Sequence, residues 1–113
     1  MAAGCGGAKK LPTASDAEKD QAKAALLAVL DAWQAGKLSD LKSRTPPITF
    51  VDDDVVQGHA LVSYELDPLK EIAPHRDVAV DLVLRGRDGR ALHRSAIYQV
   101  VLSPTLTVLR NDP

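Results

Sequence analysis

An α+β domain is the fold class predicted here: one long N-terminal helix, plus a short second helix, packed on a curved antiparallel sheet of 4–5 strands. Three observations predict it. Apolar residues recur at helical spacing between residues 15 and 36. From residue 48 onward the apolar period becomes two. Pro and Gly then cut the remaining chain into short alternating runs, the pattern of an antiparallel meander with one covered face.

The helix begins at SDAEKDQAKAALLAVLDAWQAG. Ser15 is a good N-cap and Glu18 stands three residues on, the spacing of a capping box. Asp16 and Glu18 suit the positive end of the helix. Ala22, Leu26, Val29, Leu30 and Trp33 form one apolar stripe. Gly36 can take the left-handed position that closes a helix. A short helical turn follows in KLSDLKSR, with Leu38 and Leu41 turned inward, and Pro46 and Pro47 end it.

Strands are expected at residues 48–51, 59–66, 78–85, 90–102 and 105–110. DDD at 52–54 reads as a turn, DPLKEIAPHRD as a loop, and GRDG at 86–89 as a hairpin loop. The alternation places Val62, Tyr64, Val80, Leu82, Ala96, Tyr98 and Val100 on the inward face, against Leu26, Leu30 and Trp33. Leu61, Val83, Ile97 and Val101 then point outward as apolar residues of the other face.

Composition narrows the function classes. The sequence has 113 residues, room for one domain, with 45% hydrophobic and 26% charged residues. Fourteen basic residues against fifteen acidic give a net charge of −1, which argues against nucleic acid as a partner. No apolar run is long enough to span a membrane. A lone Cys5 allows neither an intrachain disulfide nor a cysteine-based structural zinc site. No cofactor is expected.

Several constellations invite chemistry. Asp52, Asp53, Asp54 and His59 offer ligands to a divalent ion, but clustered aspartates equally suit a solvated turn, and the closing glutamate of a calcium loop is missing. No metal site is therefore assigned. His93 and Ser95 share a strand face at a separation of about 7 Å, too far for a nucleophile and its base. Arg85, Arg87, Arg90 and Arg94 surround the hairpin, where a solvated, aggregation-resistant edge is the default. Asp81 points outward between apolar neighbours. Trp33, Tyr64 and Tyr98 are the candidate ligand-binding residues if the core opens into a pocket, and ordinary core residues if it does not. No catalytic residue is assigned.

The stretch LLAVLDAWQAGKLSDLKSRTPPITFVDDDVV resembles the start of nuclear transport factor 2-like and cystatin-like domains. The likeness lies in the order of elements over residues 15–110: long helix, short helix, aromatic-bearing strand, curved sheet. TPPITFVDDD, VSYEL and SPTLTVLRND resemble small bacterial envelope domains. The resemblance implies a small binding or isomerase-like domain. The loop DPLKEIAPHRD and the short first section depart from the enzymatic members.

Residues 1–14 read as a lipobox-like remnant and flexible tether, and residues 15–113 as the single domain. Ala2-Ala3-Gly4-Cys5 resembles the end of the box that precedes a lipidated cysteine in bacterial lipoproteins, making Cys5 the lipidation candidate. The expectation is a non-catalytic domain, tethered to the cell envelope, that binds a protein or small ligand; membrane contact is expected only through a lipid on Cys5. Two alternatives stay open: a small isomerase or dehydratase with a pocket between helix and sheet, and a cytoplasmic homodimer formed through the outer sheet face.

Overall fold

A computed structural model describes residues 15–112. Helix α1 runs Asp16–Ala35. Its start is the expected capping box: the Ser15 hydroxyl accepts from the Glu18 N–H at 3.1 Å, and Glu18 accepts from the Ser15 N–H at 2.9 Å. Its end is a Schellman closure, in which Gly36 sits at φ 73° and Lys37 N–H donates to the Ala32 carbonyl. Ala22, Ala25, Leu26, Val29, Leu30 and Trp33 are buried along one side. The short second helix is a 3₁₀ segment, Leu38–Ser43, whose Leu41 joins the core.

Five strands follow: β1 Thr49–Val51, β2 Ala60–Leu66, β3 Val78–Arg85, β4 Ala91–Val101 and β5 Thr107–Arg110. They form one sheet in the order β1-β5-β4-β3-β2. The antiparallel expectation needs correction at one place. β1 pairs with β5 in parallel, Phe50 opposite Val108, so the sheet is mixed. The cause is topological: the chain places β1 first, at an edge, and returns to it last with β5, which completes an antiparallel meander of β2 to β5.

A second correction concerns β2. Its register with β3 shifts between Leu61 and Ser63, leaving Val62 as an extra residue. Bulges change which face the neighbouring side chains take. Leu61, expected outward, is buried at 3% exposure, and Val62, expected inward, is 39% exposed. The rest of the phase is as read: Val78, Val80, Leu82, Leu84, Ala96, Tyr98 and Val100 are all buried. Helix α1 packs over β2, β4 and β5 and buries this face.

The third correction positions the site. DDD is not a solvated turn. Asp52 caps a four-residue helical turn, α2 (Asp53–Val56), by accepting from the Asp54 N–H at 2.7 Å. Because β1 and β2 lie at opposite edges, residues 52–59 must cross the whole sheet between them. Four strand gaps of about 4.8 Å make that crossing roughly 19 Å in a flat sheet. The crossover lies over inward-facing positions of β4 and β5, and its short polar chain meets side chains suited to it.

Candidate functional site

Arg94 and Arg110 occupy inward positions of β4 and β5, in phase with Ala96, Tyr98 and Val108. Arg110, its side chain only 11% exposed, needs a counter-charge there, because burying a charge alone costs several kcal/mol; Arg94 is more open, at 43%. The crossover supplies the counter-charge. Asp54, 3% exposed, accepts from Arg110 Nη1 at 2.8 Å, from Arg94 Nε at 3.0 and 3.1 Å on its two oxygens, and from His59 Nδ1 at 2.9 Å. Asp52, 1% exposed, accepts from Arg110 Nη1 at 3.0 Å and from the Tyr98 hydroxyl at 2.5 Å. Arg110 Nε also donates to Asp112, whose carboxylate accepts from the Ile97 N–H at 3.3 Å. The Arg110 guanidinium stands 5.9 Å from the centre of the Tyr98 ring.

The electrostatics follow from this wiring. Burial works against the ionised form of Asp54, but hydrogen bonds from Arg110 and His59 and the Arg94 charge outweigh it, holding the carboxyl below its ordinary value. Asp112 is likewise held down by Arg110 and the Ile97 N–H against the opposing effect of burial. An ionised Asp54 only accepts, so the His59 proton that it binds sits on Nδ1. Burial and the Asp52 carboxylate both push the Tyr98 hydroxyl far up, which keeps it a neutral donor. No buried side-chain nitrogen or oxygen among the described residues is left without a partner. The cluster thus uses its buried polar atoms internally, while its Arg94 side chain stays 43% exposed. The cluster holds the crossover down on the sheet.

The candidates named from sequence separate accordingly. Trp33 and Tyr98 are core residues at 4% and 0% exposure. Phe50 stands between them, its ring centre 5.9 Å from Trp33 and 6.1 Å from Tyr98. Trp33 Nε1 donates to the His59 carbonyl at 3.0 Å, which ties the helix to the end of the crossover. Tyr64 is half-buried and donates to Asp31 of α1 at 2.6 Å; burial, then that carboxylate, pushes its hydroxyl up to about 12. Asp53 is exposed and takes no part in the cluster. Among the described residues no group of three His, Cys, Asp or Glu side chains is arranged to hold a metal ion. All four hairpin arginines are exposed, and of them Arg94 alone pairs with a buried aspartate among the described residues. Cys5 lies outside the described residues.

Tyr98 was named as a pocket residue, but its bond to Asp52, and the roles of Arg94, Arg110 and Asp112, escaped sequence reasoning. A signal for two of them is present. Arg94 and Arg110 interrupt the inward phase of otherwise apolar strands, and three aspartates nearby in the fold's order supply the opposite charge.

The opposite face of the sheet is different in character. Ser63 and Glu65 of β2, Asp81 of β3, and His93 and Ser95 of β4 are all exposed there. The register sets Glu65 opposite Asp81, Asp81 opposite Ser95, and Val83 opposite both Ser63 and His93. Together they floor a groove of about 670 Å³. Leu82, which contributes to its lining, is buried from the helix side, so the groove lies on the outer face. His93 and Ser95 share this groove two positions apart on β4. Val83, Ile97 and Val101 are half-buried on the same face.

No helix among the described residues is long and apolar enough to cross a membrane. No family model matches the chain, and neither a curated protein nor a solved structure matches it.

Proposed function

We propose that this protein is a non-catalytic binding module of the bacterial cell envelope, tethered through a lipid on Cys5, that meets its partner with the outer face of its sheet. The observation that carries this reading is the contrast between the two faces. The inner face is filled by α1 and closed by the ionic crossover. The outer face is a polar-and-apolar groove with exposed side chains from three adjacent strands. Surfaces of that kind serve recognition. Phe50, wedged between Trp33 and Tyr98, counts against an isomerase-type pocket at those rings. The small-residue sequence AAGC and the glycines and lysines after it support the tether. The order of long helix, short helix and sheet supports kinship with nuclear transport factor 2-like and cystatin-like domains.

Two measurements test the proposal. A photo-reactive amino acid is placed at position 93, on the outer face, or at position 23, on the exposed side of α1, in bacterial cells making the full chain. Capture of a partner from position 93 and not from position 23 is expected; equal capture from both, or none from 93, counts against the surface. Metabolic labelling with an alkyne fatty acid is expected to mark the chain and to vanish in Cys5→Ser. If the label is absent from the unaltered chain, the tether is wrong. A homodimer through this face would appear as capture of a second copy.

A further inference from the structure

The outer groove carries a charge pattern that its own fold does not balance. Glu65 and Asp81 are directly opposed in the β2–β3 register, both exposed. Like charges so placed destabilise a strand pair, with Cβ atoms about 5 Å apart. Among the described residues neither carboxylate forms an ion pair. The cations nearest in register do not help. Arg94, on β4, is turned to Asp54 on the other face, and Arg85 shares the outer face four residues along β3 from Asp81 without reaching it.

Resting on the binding-module reading, we infer that the groove receives a basic segment of a partner protein, with an arginine or lysine head seated between Glu65 and Asp81. Charge complementarity selects the cation. Two carboxylates at cross-strand spacing match the two-pronged reach of a guanidinium. The apolar positions beside them select a peptide. Val83 follows Asp81 on the same face of β3, and Ile97 follows Ser95 on the same face of β4, both half-buried. A basic side chain lays its methylene stem on such apolar surface while its head meets the charge. An alternating basic–aliphatic segment places a second stem and an aliphatic neighbour along the remaining floor.

The test is amide chemical-shift mapping on the full chain with three acetylated pentapeptides. One alternates arginine with valine; in the others glutamine or glutamate replaces arginine. The arginine peptide is expected to shift the amides of Ser63, Glu65, Asp81, His93 and Ser95, and the glutamate peptide to leave them unmoved. The double variant E65Q/D81N is expected to bind the arginine peptide roughly fivefold more weakly, as the loss of two exposed ion pairs gives. Both residues are exposed, so the variant keeps its fold, which the unchanged amide pattern elsewhere reports.

If the glutamine peptide shifts the same amides equally, the basic chemistry is wrong while the binding surface stands. No shift on this face with the arginine peptide overturns the inference, and partner capture from position 93 then decides separately whether the surface reading survives. Spermidine producing the same shifts at equal concentration overturns the peptide in favour of a small polycation. Retention of full affinity in E65Q/D81N removes the acid pair from the site.

Discussion

Arg110 donates to Asp54 across 2.8 Å although the two residues are 56 positions apart in the chain. One comes from the last strand and the other from the crossover that follows the first. Their contact closes the inner face, and it has consequences for stability.

Replacing the guanidinium leaves Asp52 and Asp54 buried without their shared cation. Arg110→Met is expected to destabilise the fold by about 3–5 kcal/mol, the usual cost of orphaning a buried charge. Urea unfolding followed by Trp33 fluorescence measures it. A loss under 1 kcal/mol would mean that the pair contributes little, as exposed pairs do.

Acid acts on the same cluster from the other side. Asp54 and Asp112 both have their folded values lowered from the ordinary 3.8. A group lowered on folding contributes stability that is fully present above its unfolded value and is lost as pH falls through the folded one. The urea midpoint is therefore expected to hold between pH 7 and 5 and to fall below about pH 4. In Asp54→Asn that fall should be shallower, from a lower starting stability. Parallel curves for the two proteins would remove Asp54 from the acid response.

The two tyrosines separate cleanly. The Tyr98 hydroxyl is fully buried and is one of the donors satisfying Asp52. Tyr98→Phe is expected to cost about 1–3 kcal/mol by leaving a carboxylate short of a partner. Tyr64 donates to Asp31 near the surface, so Tyr64→Phe should stay within about 0.5 kcal/mol of the original. Equal losses in the two variants would contradict the difference in burial.

Relief of the opposed acid pair gives a change of the opposite sign. Glu65→Gln is expected to raise stability by a few tenths of a kcal/mol at low salt, with the gain shrinking as salt screens the repulsion. Thermal unfolding at two ionic strengths reads this. A destabilised variant would show that Glu65 has an attractive partner in the fold.

Helix α1 was legible in the sequence to within a residue at each end, because its signals are local. Ser15, Glu18 and Gly36 act on backbone groups within one turn of themselves. The hairpin between β3 and β4 was legible for the same reason. The β2 bulge was not: ALVSYEL alternates equally well in either phase, and only pairing with β3 puts Leu61 rather than Val62 in the core. The candidate aromatic residues were named correctly as large inward groups, but spacing along a strand does not reveal whether Phe50 fills the room between two of them.

The amino-acid order alone settled the α+β class, the helix with its caps, and which stretches become strands. Periodicity and capping depend on residues a few positions apart, and those are read directly. Strand order, the parallel β1–β5 pair and the buried partners of Asp52 and Asp54 came only with the assembled fold. Arg94 and Arg110 lie 40 and 56 residues from Asp54. Whether DDD meets water or cations depends on where residues 52–59 cross the sheet, and that path is set by packing over the whole chain.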